Sequence, residues 1–213
     1  MSKKILFVIA GPRLKGASAF AARAAAEGAA QGGADVEIVE LPRLARVQSM
    51  GCISCMRCQI SPEYRCALDD DLARLVARFP EFDAVVFSTP VFFFSMPAQL
   101  KGLIDRTFSL VKNSGGRIAT PLAKVQLALI VTSGGDRKDS GVQTIYDTFR
   151  YYQEYADLKP LKYLYFGNTP DDPARFAADP QVKARSHSFG LALARQSAGG
   201  EIPDASAGLP RKG

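Results

Sequence analysis

Short apolar runs alternate with longer amphipathic stretches along the chain, which predicts parallel strands joined by helices. The predicted strands are the five apolar runs Ile5–Ala10, Val36–Leu41, Ala84–Ser88, Val125–Thr132 and Leu161–Phe166. The predicted helices are Ser18–Gln31, a helix opened by Asp69-Asp70-Asp71 as an N-cap and running to Phe79, Pro97–Leu110, Val142–Tyr155 and Pro173–Ser197. This order predicts an α/β fold, a doubly wound five-stranded parallel sheet with helices on both faces.

The composition fits one domain with a full core, because 47% of the 213 residues are apolar. We predict a single domain over residues 1–198, a cysteine-rich loop at 48–68 inserted after the second strand, and a flexible tail at 199–213. The apolar run at the N-terminus is too short for a membrane span and lacks a signal-peptide cleavage region, which predicts a cytoplasmic protein. The net charge of +6 is scattered among acids, so neither nucleic acid nor membrane is expected as a partner. The excess favours anions, such as a phosphorylated cofactor or an acidic electron carrier.

All of the cysteines fall in one short segment after the second strand. They are Cys52, Cys55, Cys58 and Cys66. Thiolate sets of this kind select iron–sulfur clusters, zinc or copper(I). Structural zinc sites usually join two well-separated pairs, whereas three of these cysteines crowd together, so the spacing favours a single four-iron cluster. Arg57 and Arg65 lie between the ligands and would offset its negative charge. Redox-active or free thiols and a zinc site remain the alternatives.

Three loops are expected to meet at the carboxyl edge of the sheet, where doubly wound folds bind ligands. The loop Gly11–Ala19 joins a strand to a helix, and its backbone N–H groups, with Ser18 and with Arg13 or Lys15, form a candidate anion pocket. It matches neither a Walker loop nor the dinucleotide motif GxGxxG. The loop Thr89–Met96 is apolar where a strand end should meet solvent, which indicates either core packing or an aromatic wall for a flat ring. The glycines that open Ser133–Gly141 would let the backbone approach such a ring closely.

Four segments, in order, resemble the flavodoxin-like NADPH-dependent FMN reductase superfamily: GPRLKGAS, CxxCxxCx7CALDDD, STPVFFFSMPAQLKGLIDR and TSGG. Within it, the cysteine motif resembles the iron–sulfur flavoproteins. The resemblance implies that the four cysteines bind a [4Fe-4S] cluster, that NAD(P)H is a candidate substrate, and that the protein is a homodimer or homotetramer. It implies FMN contacts from Gly11, Arg13, Gly16, Ala17, Ser18, Ala19, Thr89, Pro90, Val91, Phe92, Phe93, Phe94, Ser133, Gly134 and Gly135. Relatives tend to carry serine at the position of Gly11 and asparagine at that of Ala17.

No acid–base constellation is visible in the sequence. His187 is the only histidine, and it is expected on the surface of the last helix. Lys101, Asp105 and Arg106 are expected to be structural or interface residues. We therefore predict no catalytic side chain, since the flavin would carry the chemistry.

Three functional hypotheses follow. The first is an iron–sulfur flavoprotein that passes electrons between its cluster, FMN and a carrier such as ferredoxin. The alternative is an NAD(P)H-dependent FMN or quinone reductase without a cluster. The third is a non-enzymatic electron carrier or a zinc-stabilised binding module.

Overall fold

The computed structural model describes residues 2–195, and the main elements follow the expected order. The strands are β1 (Lys4–Ile9), β2 (Asp35–Glu40), β3 (Ala84–Pro90), β4 (Lys112–Ser114), β5 (Arg117–Ala119), β6 (Gln126–Thr132) and β7 (Lys162–Phe166). The helices are α1 (Ala17–Gln31), α2 (Arg57–Ile60), α3 (Asp71–Ala77), α4 (Ala98–Arg106), α5 (Val142–Tyr155), α6 (Pro173–Ala178) and α7 (Pro180–Arg195). Short 3-10 turns follow β2, α3 and α4. Among these residues, no helix is long and apolar enough to cross a bilayer.

Five strands form one parallel sheet in the order β2-β1-β3-β6-β7, which confirms the predicted fold class. The chain leaves β1 for the edge strand β2 and then returns to the other side of β1 as β3. The strand order therefore reverses between β1 and β3. Ligands of doubly wound sheets bind at such a reversal, beyond the carboxyl ends of the strands.

The two faces of the sheet are buried by different helices, as the alternation of side chains along each strand requires. Leu6, Val85 and Leu129 pack on one face in a cluster that includes residues of α3, α4 and α5. Their neighbours in sequence pack on the other face against α1, α6 and α7; they include Ile5, Val86 and Ile130. The central strands are thus apolar on both sides, whereas β2 at the edge is half-exposed, as its alternating pattern predicted.

Helices α1 and α7 approach each other closely because glycines stand at their contact. A Cβ at Gly190 would lie 1.7 Å from the carbonyl oxygen of Ala25, and one at Gly28 would lie 2.0 Å from that of His187. Any larger residue at either position would push the helices apart. His187 on α7 is only partly exposed, so the prediction of a surface histidine is only partly confirmed.

Two regions differ from the expectation. The loop expected around residues 113–121 contains the hairpin β4–β5, because Gly115 and Gly116 both adopt positive φ and supply a tight two-residue turn. The single C-terminal helix is two helices, interrupted at Asp179, whose carboxylate accepts the N–H of Gln181 at the start of α7. The predicted end of that helix at Ser197 and the predicted tail at 199–213 lie outside the described residues.

The N-cap expected from the three aspartates is provided by Asp70, which accepts the N–H of Ala73 at 2.9 Å. Its other carboxylate oxygen receives the N–H of Gln48 at 3.0 Å and the guanidinium of Arg106 at 2.5 Å. Both charged side chains are fully buried. Burial by itself would raise the pKa of Asp70, but the two backbone N–H groups and Arg106 together hold that pKa below its ordinary value.

Arg106 also explains how the cysteine-rich loop is attached to the sheet domain. It donates to the carbonyl oxygen of Ser49 at 3.2 Å and to Cys66 Sγ at 2.9 Å. One guanidinium on α4 therefore joins both ends of the loop to the N-terminus of α3. This confirms the structural role expected for Arg106. Lys101 and Asp105 instead form an exposed ion pair of 2.6 Å along α4.

Candidate flavin site

The loop after β1 forms the first wall of a cleft at the carboxyl edge of the sheet. The N–H of Gly16 bonds to the carbonyl oxygen of Arg13 at 2.8 Å, which closes a tight turn before α1. Gly16 is the N-cap residue of α1 and offers no side-chain cap, and the first turn carries no acid. The first N–H groups of α1 are thus available to an anion, and the helix dipole favours negative charge there.

Bare glycine at position 11 keeps this wall open. A Cβ there would lie 2.9 Å from Ser18 Oγ and 3.0 Å from Pro90 Cδ. The serine common in similar proteins would crowd both neighbours. The backbone of Ser18 is fixed by β3, because its carbonyl oxygen accepts a hydrogen bond from the hydroxyl of Ser88 at 2.7 Å.

The loop after β3 forms a strained aromatic turn. Phe92 and Ser95 exchange two backbone hydrogen bonds of 2.8 and 3.1 Å, and Phe93 and Phe94 between them have φ values of 45° and 68°. Positive φ at bulky residues costs of order 1 kcal/mol each, so the surrounding structure must hold the turn. Gly141 packs directly beneath Phe94. The turn leaves Phe93 94% exposed and Phe94 59% exposed, which excludes simple core packing for these two rings.

The loop after β6 forms the third wall and is tied to the loop after β7. Ser133 Oγ lies 2.6 Å from the hydroxyl of Tyr165, and the Ser133 carbonyl oxygen accepts both the N–H and the hydroxyl of Thr169. The carbonyl oxygen of Gly135 accepts the N–H of Asn168 at 2.9 Å. Within the same loop, the N–H groups of residues 138 and 139 lower the pKa of Asp136. These bonds fix the backbone that faces the cleft.

The three walls border an open cleft with a cavity volume of about 150 Å³. Ten of the expected contact residues line it: Gly11, Arg13, Gly16, Ala17, Ser18, Pro90, Val91, Phe92, Ser133 and Gly134. Five do not. Ala19 and Thr89 are fully buried behind its walls, while Phe93, Phe94 and Gly135 lie in the loops beside it.

Sequence reasoning missed the contribution of the loop after β7. This loop and the start of α6 contribute Thr169, Pro170, Asp171 and Pro173 to the lining. A signal was available, because β7 is parallel to the other four strands and must end at the same edge. The loop after β7 carries no glycine-rich or aromatic motif, so its sequence alone does not indicate a binding role.

Comparison with known proteins agrees with this geometry. Residues 3–155 match the family model for NADPH-dependent FMN reductase. The chain belongs to the NADPH-dependent FMN reductase family.

Individual relatives and a solved structure are similar over different lengths. An iron–sulfur flavoprotein of Methanocaldococcus jannaschii is 30% identical over 122 residues, which span 54% of this chain and 61% of the relative. An FMN-dependent NAD(P)H:quinone oxidoreductase of Pseudomonas aeruginosa is 40% identical over 84 residues, spanning 35% of this chain and 40% of the relative. Both matches thus span less than two thirds of the relatives. The structure of an NAD(P)H:quinone oxidoreductase from Methanothermobacter marburgensis superposes with a TM-score of 0.71 at 21% identity, over 91% of this chain and all of that one.

The cleft of this FMN reductase family member suits the two ends of FMN. The uncapped start of α1, beside Arg13, suits a phosphate. The wall formed by Val91 and Phe92 suits a flat apolar ring. At the loop after β6, Ser133 and Gly134 let the protein backbone approach such a ring closely. The residues present therefore fit the cofactor that the family implies.

The cysteine-rich loop of this FMN reductase family member does not show the expected metal centre. Cys52 and Cys55 are exposed, Cys58 is buried, and Cys66 contacts Arg106. Between residues 2 and 195, no three His, Cys, Asp or Glu side chains are grouped so that they could hold a metal ion. The predicted four-cysteine cluster is therefore not supported by this arrangement.

Hydrogen bonds and a close backbone contact attach the cysteine-rich loop to the rest of the domain. Lys112 Nζ donates to the carbonyl oxygens of Cys58, Ser61 and Glu63. Gln59 Nε2 donates to the carbonyl oxygens of Phe108 and Val111 at 3.1 and 2.9 Å. A Cβ at Gly102 of α4 would lie 1.5 Å from the carbonyl oxygen of Met50, so the loop backbone lies directly on the helix.

Proposed function

We propose that this protein is an FMN-dependent NAD(P)H oxidoreductase of the quinone reductase type, working without an iron–sulfur cluster. The observation that carries the proposal is the cleft itself. One end offers the uncapped N–H groups of α1 with Arg13, and the other offers the aromatic turn at Phe92. FMN requires this combination of an anion site and an apolar wall, and both stand at the edge where doubly wound sheets bind ligands.

The side chains around the cleft would bind and orient rather than transfer protons. Bound FMN would accept a hydride from NAD(P)H and reduce the acceptor. Arg13 and the start of α1 hold the phosphate, while Val91, Phe92 and the backbone at Ser133 position the ring. Among the described residues that line the cleft, Asp171 is the single carboxylate.

The acceptor is proposed to be a flat apolar molecule such as a quinone. The support is the exposure of Phe93 and Phe94 beside the cleft. Two exposed phenyl rings held in a strained turn offer a stacking surface for an aromatic substrate and exclude water around it.

The test is purification followed by flavin quantification and an activity assay. We expect about one FMN per chain, and oxidation of NADPH or NADH that depends on added benzoquinone. Failure to retain FMN after saturation, with a correctly folded protein, would refute the proposal.

A homodimer or homotetramer is also proposed for this enzyme. Large apolar side chains are exposed on the cysteine-rich loop and at the end of α4: Met50, Ile53, Met56, Ile60 and Phe108. A patch of this kind is typical of an interaction surface. Light scattering of the holoenzyme measures its molar mass and hence its oligomeric state. A monomer at micromolar concentration would contradict this proposal.

An iron–sulfur flavoprotein that exchanges electrons with a ferredoxin-like carrier is the second candidate. It is favoured by the spacing of the four cysteines and by the similarity to the Methanocaldococcus jannaschii relative. Iron and acid-labile sulfide should be measured after anaerobic reconstitution. About four of each per chain, lost in Cys55→Ser while FMN remains, would establish this candidate and displace the first. Absence of both would leave the cluster-free enzyme.

A charge placed at the start of α1 provides a further prediction. Ala17→Asp should weaken FMN binding by roughly tenfold or more, because a carboxylate would stand beside the phosphate. The same carboxylate favours the helix dipole, so the melting temperature should not fall. Fluorescence titration of the apoprotein with FMN measures the affinity. Ala17→Asn is the matched control without the charge, and equal affinities for the two variants would argue against a phosphate at this position.

A further inference from the structure

A second cleft adjoins the flavin cleft at the end of β7. It has a cavity volume of about 420 Å³ and shares the wall residues Thr169 and Pro170 with the first cleft. Phe166, Phe176 and Val182 contribute apolar surface to it. The two cavities therefore meet at the loop after β7, and a ligand long enough could occupy both.

Two arginines give this cleft an excess of positive charge. Arg175 on α6 and Arg185 on α7 both line it. In the described part of the chain, neither forms a salt bridge with a carboxylate. Asp179 is the acid in the same lining, and its carboxylate is engaged as the cap of Gln181. With two arginines against one aspartate, the charge of the lining favours a ligand with an anionic group.

Arg185 is held in place before any ligand arrives. Its Nη2 donates to the carbonyl oxygen of Tyr165 at 3.1 Å, and its guanidinium lies 4.6 Å from the centre of the Phe166 ring. Stacking of a guanidinium on an aromatic ring is attractive, and together with the hydrogen bond it limits the orientations of the side chain. A fixed guanidinium pairs well with phosphate because its donors match two phosphate oxygens.

Tyr165 connects this arginine to the flavin cleft. Its carbonyl oxygen holds Arg185, while its hydroxyl lies 2.6 Å from Ser133 Oγ in the wall of the first cleft. One residue therefore fixes an arginine on one side and a flavin-facing loop on the other.

We propose that the second cleft binds the 2′-phosphate of NADPH and that Arg175 and Arg185 set the preference for NADPH over NADH. This inference rests on the proposed function, since the nicotinamide must reach the flavin cleft while the adenosine end lies in the second one. NADPH and NADH differ only in this phosphate, so the arginines act on the choice of coenzyme and not on the chemistry.

Coenzyme specificity of the holoenzyme tests the proposal. The ratio of kcat/KM for NADPH to that for NADH should fall about tenfold in Arg175→Gln and in Arg185→Gln, as expected for the loss of one charge-assisted hydrogen bond. The matched control is Lys183→Gln, which removes a positive charge from α7 outside the cleft and should leave the ratio unchanged. An equal fall in all three variants would indicate general electrostatics and overturn the proposal, as would an unchanged ratio in the arginine variants.

Calorimetry with adenosine 2′,5′-bisphosphate supplies a readout that does not depend on turnover. With FMN saturating, its dissociation constant should rise about tenfold in each arginine variant. The flavin released on denaturation should also be identified. If it is FAD, and the arginine variants lose it, the cleft holds the adenosine of the flavin and the NADPH assignment is wrong. Quinone reduction with NADH would in either case show separately whether the proposed function stands.

Discussion

Arg106→Met should lower the free energy of unfolding by about 3–5 kcal/mol, the range found when one partner of a buried ion pair is removed. The guanidinium is fully buried and is the common partner of Asp70, Ser49 and Cys66. Its loss would leave the Asp70 carboxylate buried without a counter-charge. Urea unfolding of the holoenzyme, followed by circular dichroism, measures the change.

Lys101→Met is the matched control, because it removes an exposed cation from the same helix. Exposed ion pairs contribute about 0.2–1 kcal/mol, so this variant should be close to wild type. A loss below about 1 kcal/mol in Arg106→Met would show that the buried pair does not hold the loop.

The pH dependence of stability should report the same carboxylate. The pKa of Asp70 in the folded protein lies below its unfolded value, so its contribution is fully present above about pH 4 and is lost as the pH falls through the lower, folded pKa. In Arg106→Met the pKa of Asp70 should rise, and the loss of folding stability between neutral and acidic pH should therefore be smaller than in the wild type. Unfolding curves between about pH 2 and 6 compare the two proteins. Parallel curves would mean that another carboxylate dominates.

Gly141→Ala should weaken FMN binding by roughly tenfold or more, through a steric clash with the aromatic turn. A Cβ at this position would lie 2.4 Å from the carbonyl oxygen of Phe94 and 2.5 Å from its Cα. Both are backbone atoms, so the turn itself must move. The positive φ of 77° at Gly141 adds strain of about 1 kcal/mol.

The control for Gly141→Ala is Gly116→Ala in the β4–β5 hairpin. Gly116 has a φ of 81°, and a Cβ there would meet no atom within 4 Å. This variant carries the same backbone strain without the clash and should lose stability but bind FMN normally. Fluorescence titration with FMN and thermal melting separate the two effects. Normal FMN binding by Gly141→Ala would show that the turn does not shape the flavin site.

The sheet could be predicted from sequence because its central strands are apolar runs between turn residues and its edge strand β2 alternates polar and apolar residues. Fully buried parallel strands need such runs, and β1, β3 and β6 all show them. Three of the four cleft-forming loops were identified by local sequence: the glycine-bounded turn before α1, the phenylalanines after β3 and the glycines after β6. Such patterns identify where the loops lie, because glycine and aromatic clusters at strand ends can be recognised without knowledge of distant contacts.

Features that depend on contacts distant in sequence could not be predicted. Arg106 is an ordinary helix residue until α4 packs beside Asp70 and Cys66. The positive φ values at Phe93 and Phe94 follow from packing on Gly141, which the sequence of the turn does not reveal. The spacing of the cysteines suggested a common ligand. Their positions in space, however, depend on the contacts that Arg106, Lys112 and Gln59 make with the loop.

The contact of α1 with α7 bears on how the chain folds during synthesis. Gly190 follows Gly28 by 162 positions in a chain of 213, so the alanine-rich face of α1 has no cover until α7 has left the ribosome. Contacts this distant in sequence form late and slowly. Until then this apolar face of α1 is bare, which makes the emerging chain a natural client for chaperones that shield apolar surface.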